Sequence, residues 1–163
     1  MTSVLVAELL DACEGVGIPI WIAGGWGVDA LVGRQTREHR DLDVLYPIER
    51  DADLRRILAD GGYVPETDWW PIRVEFAGRS YVDIHPLRFA PDGSAVQAGP
   101  DGTEFDYPAR AFRTGSIGDR MVGCLSVEQQ RTFHSGYALR DVDRHDLAQL
   151  AGLDPPAAPP AFG

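Results

Sequence analysis

The chain has 163 residues, 44% of them apolar and 25% charged, enough for one domain with a single core and too few for a second independent one. Its formal net charge of -10 argues against nucleic acid as a partner through any diffuse basic face, so a phosphorylated ligand has to be held by local features. Every basic residue is an arginine, and the lack of lysine excludes both a GKS-type phosphate loop and a lysine Schiff base.

Thr2 or Ser3 can cap a first helix, whose Val4, Leu5, Ala7, Leu9, Leu10 and Cys13 suit packing on a core, and which ends at Gly15 or Gly17. Its acidic residues and the lack of a basic flank exclude a signal peptide. No apolar run reaches the ~18 residues of a membrane span, so a cytoplasmic protein without membrane contact is expected. Cys13 and Cys124 are far apart and read as small core residues of a reducing compartment. Ile20, Trp21 and Ile22 predict a short buried strand, followed by a helix over Gly25 to Leu31.

From Arg40 to Tyr46 the chain alternates Asp41, Asp43 and Leu45 with Leu42, Val44 and Tyr46, the period of a strand. Ile48, Leu54, Ile57 and Leu58 predict a helix that stops at Gly61 and Gly62. Strands are expected at Tyr63-Val64, Ile72 to Phe76 and Ser80 to Arg88, the last two joined by a hairpin turn. Residues 91–108 read as loops around one or two short edge strands, and Thr114 to Leu125 contains another strand. Ser126 is a good N-cap for a helix with Glu128 and Gln129 in its first turn, and Asp141 or Asp143 can start the last helix. The domain therefore covers residues 1–153, with a Pro/Ala-rich C-terminal tail over 154–163 that is expected to be extended or mobile.

The stretch GGWGVDALVGRQTREHRDLDV, Gly24 to Val44, has three readings. Gly25, Gly27 and Ala30 satisfy a dinucleotide fingerprint with Asp43 as the ribose acid, but consecutive strands and loops after Tyr63 do not continue a doubly wound fold. The glycines can simply allow tight strand-to-helix packing, with Asp41 and Asp43 as solvated strand residues; two like charges on one strand face nonetheless repel. Alternatively Asp41 and Asp43 are hard oxygen ligands for Mg²⁺, with backbone N–H groups of the glycine pair binding phosphate. Asp83 in SYVDIHPL, on the polar face of a later strand with His85 beside it, completes a three-carboxylate set that a dinucleotide site does not need.

With that third carboxylate the glycine pair and D-x-D resemble the nucleotidyltransferase fold shared with DNA polymerase beta, an α/β (α+β) fold with helices packed on a mixed twisted sheet. GGWGVDAL, QTREHRDLDV, VDIHPL and GYALRDVDRHDL more narrowly resemble the small antibiotic nucleotidyltransferases that modify lincosamides and the 2''-hydroxyl of aminoglycosides, over roughly residues 5 to 150. Many superfamily members have Gly-Ser where this chain has Gly24-Gly25, which leaves phosphate contact there to the backbone.

The resemblance implies transfer of a nucleoside monophosphate, AMP from ATP first among them, to a hydroxyl of a small-molecule acceptor, with release of pyrophosphate and two Mg²⁺ ions at Asp41, Asp43 and Asp83. Asp83 is also the expected general base. Gly24 and Gly25 are expected at the triphosphate, and Arg40 as a second phosphate contact, although a surface ion pair with Glu38 or Asp41 explains Arg40 equally well. His85, Trp70 and Glu75 are candidates for the acceptor. A biosynthetic intermediate as acceptor, or a protein or RNA partner in a toxin-antitoxin pair, uses the same chemistry, and one small domain with an open face suits a homodimer.

Overall fold

A computed structural model describes residues 1–135 and 138–153 of the chain; the expectation of an extended tail over 154–163 lies outside the described residues. Among them the chain runs through α1 (Ser3–Gly15), β1 (Trp21–Ala23), α2 (Gly24–Val32), β2 (Asp41–Pro47) and α3 (Asp51–Asp60). It continues through β3 (Val64–Trp69), β4 (Arg73–Ala77), β5 (Tyr81–Phe89), β6 (Ala95–Ala98), β7 (Glu104–Tyr107), β8 (Phe112–Ile117), β9 (Arg120–Leu125), α4 (Val127–Phe133) and α5 (Asp141–Ala151). Among the described residues no helix is long and apolar enough to cross a membrane.

Local chemistry sets several of these ends. Thr2 Oγ1 accepts from the Leu5 N–H at the start of α1, and Ser126 Oγ accepts from the Gln129 N–H at the start of α4. Gly33 ends α2 in the left-handed region at φ 80°, which costs glycine no Cβ clash. At α5 the cap is Arg140, whose N–H donates to the Asp143 carboxylate. Two expectations need correction. The strand beginning at Val64 runs on to Trp69, which polar Glu66, Thr67 and Asp68 conceal because this edge strand is exposed along nearly its whole length. The single strand expected over Thr114 to Leu125 is a hairpin, reversed at Gly118, which adopts φ 58°.

The main sheet has the order β3-β4-β5-β2-β1-β9-β8, with β6 pairing the end of β5 and β7 pairing β6. The β2–β5 and β1–β9 pairs are parallel, and the remaining pairs are antiparallel. Because β1 lies antiparallel to β2, the strand–helix–strand unit around the glycines is not the parallel unit of a dinucleotide fold. Gly27 instead lets α2 approach β1, since a Cβ there would stand 2.7 Å from the Ile22 carbonyl oxygen.

The period of two divides the sheet into a covered face and a working face. Leu42, Val44, Val82 and Ile84 pack with Val6 and Leu10 of α1, Trp26 of α2 and Leu54 and Leu58 of α3. The opposite face carries Asp41, Asp43, Asp83 and His85, and then a smaller cluster in which Leu45, Leu87, Tyr107 and Leu125 meet Trp21, Phe89, Phe112 and Phe133. Cys13 and Cys124 are buried free thiols on the covered side, and burial pushes both up to about 11. As Leu54 has no exposed surface, Leu54→Ala should lower unfolding free energy in urea by about 2–5 kcal/mol without changing the sheet's far-UV signature.

Candidate active site

Parallel pairing of β2 with β5 places Asp43 directly opposite Asp83, and Leu45 opposite His85. Antiparallel pairing of β4 with β5 adds Glu75 opposite Asp83 from the other side. At the end of β1 the chain turns into α2 through Gly24, at φ 56°, and a Cβ at this residue would overlap Asp43 Oδ2. The carboxylate thus fills the space that a side chain would need. A Cβ at Gly25 would collide with Arg37 Nη2 and the His39 ring at Nδ1, so a serine there would displace one or both of them.

Asp83 is 7% exposed, and its Oδ2 accepts from Arg73 Nη1 while Oδ1 is buried without a hydrogen-bond partner. His85 Nε2 stands 3.5 Å from Asp43 Oδ1 and 4.0 Å from Asp83 Oδ1. Burial raises the Asp83 carboxyl from its ordinary value; Asp43 adds to that rise, whereas His85 and Arg73 oppose it. Asp43, Asp83 and His85 each offer a ligand atom within 4.8 Å of the others. Asp41 shares their face, but Arg40 holds its carboxylate through Nε at 3.0 Å and Nη2 at 2.8 Å. Arg40 Nη2 also reaches Glu75 Oε2 at 3.0 Å, and its guanidinium lies over the Tyr81 ring.

These groups line a cleft of about 820 Å³ that contains Gly24, Gly25, Arg40, Asp41, Asp43, Asp83 and His85. Trp70 is outside its lining, half-exposed between β3 and β4, and Glu75 is turned to Arg40. Sequence reasoning missed Phe105, Tyr107 and Phe133, which also line the cleft, and the cations Arg37 and Arg73. Arg37 donates through Nε and Nη2 to both oxygens of buried Asp146 in α5, at 2.8 and 2.7 Å. Behind it, buried Asp29 accepts from Thr36 Oγ1 at 2.6 Å and meets His39 Nε2 at 2.5 Å. An aspartate inside the apolar GVDALV run was the signal for that buried pair. Trp26 packs on His39 with ring centroids 4.6 Å apart, as a core residue.

Proteins of known activity resemble this chain in sequence and in fold. The aminoglycoside-2''-adenylyltransferase family model matches residues 5–150. The chain belongs to this family. A lincosamide resistance protein from Staphylococcus haemolyticus is 38% identical over 147 residues, covering 89% of this chain and 91% of that protein. A 2''-aminoglycoside nucleotidyltransferase from Escherichia coli is 34% identical over 125 residues, covering 76% of this chain and 67% of that one. The crystal structure of the lincosamide antibiotic adenylyltransferase LnuA with lincomycin bound superposes with a TM-score of 0.87 at 36% identity, covering 94% of this chain and 99% of that chain.

In this nucleotidyltransferase Gly24→Ala should cost about 1–3 kcal/mol in urea unfolding, from a Cβ at positive φ and the displacement of Asp43. A second measurement concerns α5. Hydrogen bonds from the Arg140 guanidinium, outweighing burial and joined by the Arg140 N–H, hold the Asp143 carboxyl at about 2. That stabilisation is complete above the ordinary value of 3.8 and is lost as pH falls through about 2, since the unfolded chain then binds the proton more readily. Asp143→Asn should therefore be less stable near neutrality and show a flatter fall in stability between these values in acid-dependent urea unfolding.

Proposed function

We propose that the protein moves the adenylyl group of ATP to a hydroxyl of an antibiotic, with Mg²⁺ bound between the facing carboxylates, and releases pyrophosphate. The observation that carries this reading is the juxtaposition of Asp43, Asp83 and the Gly24 turn, in a cleft large enough for a nucleotide and a small acceptor. Oxygen donors on two adjacent strands, one of them buried and unpartnered, fit a hard divalent cation. Asp43 and Asp83 would hold it, and Asp41 would join them for a second ion once Arg40 releases its carboxylate. When bound, the metal would neutralise triphosphate charge and stabilise the charge that develops on the transferring phosphoryl group.

The chain's own groups supply the rest. Gly24 and Gly25 open α2, where backbone N–H groups without helical partners face a bound anion. Arg37, fixed by Asp146, and Arg40 flank that turn as triphosphate contacts. The acceptor oxygen attacks the α-phosphorus as the bond from that phosphorus to the β-phosphate bridging oxygen breaks, and the hydroxyl proton passes to Asp83. The raised proton affinity of Asp83 suits this task. Phe105, Tyr107 and Phe133 add apolar surface to the cleft, which favours an amphipathic lincosamide over a purely polycationic acceptor.

Incubation with Mg²⁺, each common nucleoside triphosphate and a panel of lincosamides and aminoglycosides should yield an adduct of AMP mass, read by mass spectrometry. Transfer only to a co-expressed protein or RNA would overturn the proposal. Asp83→Asn should lower kcat by about 10²- to 10⁴-fold while triphosphate binding remains measurable by calorimetry; near-normal turnover would remove Asp83 as base.

A further inference from the structure

His85 presents two nitrogens to very different surroundings. Nε2 faces the carboxylates, whereas Nδ1 lies 3.2 Å from Gln97 Nε2 in β6. The direction of that second contact follows from the partners of Gln97. Its Nε2 also stands 3.0 Å from the Ile72 carbonyl oxygen, which can only accept, and its Oε1 stands 2.5 Å from Tyr107 Oη. Turning the amide over would set two oxygens against each other at Ile72, so the nitrogen stays on the Ile72 side. Both amide hydrogens are then donated, one to Ile72 and one to His85 Nδ1. A nitrogen that accepts a hydrogen bond carries no proton, so the proton of the neutral ring is on Nε2.

We propose that Gln97, braced by Tyr107 and Ile72, locks His85 as the Nε2–H tautomer, making His85 a hydrogen-bond donor in the reaction and barring it from the metal. A histidine that ligates a metal through Nε2 needs its lone pair there and normally donates Nδ1–H to an acceptor behind it. Here the group behind it is a donor. Although His85 belongs to the geometric cluster with Asp43 and Asp83, the first coordination shell is thus kept to oxygen ligands, the set that suits Mg²⁺ and disfavours softer transition metals.

The N–H has a use at its position. At 3.5 and 4.0 Å from Asp43 Oδ1 and Asp83 Oδ1 it is too far for a good direct bond to either. An oxygen about 2.8 Å from His85 Nε2 on the cleft side would accept from it and donate to the Asp83 carboxylate. On the reading given under the proposed function, on which this last step rests, that oxygen is the acceptor hydroxyl. Gln97 and Tyr107 are therefore positioning residues: they act through His85 to aim the hydroxyl proton at the base.

Long-range ¹H–¹⁵N correlation spectra of the uniformly labelled full-length protein, without metal or nucleotide, read the tautomer directly, with His85 assigned by its loss in His85→Asn. We expect a protonated Nε2 and an unprotonated Nδ1, unchanged when Mg²⁺ is added. With the pH alkaline enough for the ring to be neutral, a proton on Nδ1, or an Nε2 that loses its proton to Mg²⁺, would overturn the proposal. Gln97→Glu, which turns the partner into an acceptor, should invert the tautomer and tighten Zn²⁺ binding, measured with the metal alone, by about 10- to 100-fold. Gln97→Leu removes the donor without adding charge; it should leave both tautomers populated and lower kcat with the triphosphate KM unchanged. A single Nε2–H tautomer in that variant would sink the role given to Gln97. If no small molecule is adenylylated while the wild-type tautomer is as stated, the functional reading fails and the lock stands; adduct formation with Nδ1 protonated has the reverse meaning.

Discussion

Two carboxylates facing each other across a parallel strand pair repel, and much of the molecule is arranged to hold Asp43 and Asp83 in that position. Arg73 neutralises one oxygen of Asp83, His85 turns a ring nitrogen toward both acids, and Gly24 gives up its side chain so that Asp43 fits. None of these groups removes the repulsion entirely, and the buried Oδ1 of Asp83 is left without a partner. Such an arrangement costs stability unless a ligand of opposite charge completes it.

The scaffold pays that cost through the other face of the same strands. Leu42, Val44, Val82 and Ile84 are fully buried against α1, α2 and α3, so the register of β2 with β5 is pinned by apolar packing. A slip of one residue would bury the acids and expose this core. The second apolar cluster holds Tyr107, whose hydroxyl meets Gln97 and through it His85. The helical side of the cleft is tied down electrostatically: Arg37 joins the loop before β2 to Asp146 of α5, over a pair of carboxylate oxygens that are themselves out of solvent.

Much of this was legible along the chain. Alternation from Arg40 to Tyr46 and around Asp83 within Ser80 to Arg88 announces strands with a polar and an apolar face, and Thr2, Ser126 and the Gly61-Gly62 pair mark helix ends through local backbone chemistry. What resisted reading were features without a local signature. The edge strand Val64–Trp69 lacks apolar alternation because it faces solvent, and Arg73, Arg37 and Gln97 look like ordinary polar residues until their partners are known.

The sequence by itself determined the three acids, the glycine pair and the chemistry those groups suit, and its motifs carried the resemblance to the family whose model matches the chain. Whether Asp41 or Asp43 meets Asp83 was decided only by tertiary structure: both acids share one face of one strand, and the pairing of β2 with β5 sets Tyr81 against the first and Asp83 against the second. The same holds for His85, whose proton is directed by an amide twelve residues on and a carbonyl from another strand's approach. Register and hydrogen-bond direction are relations between segments that meet only when the sheet closes, and no single segment carries them.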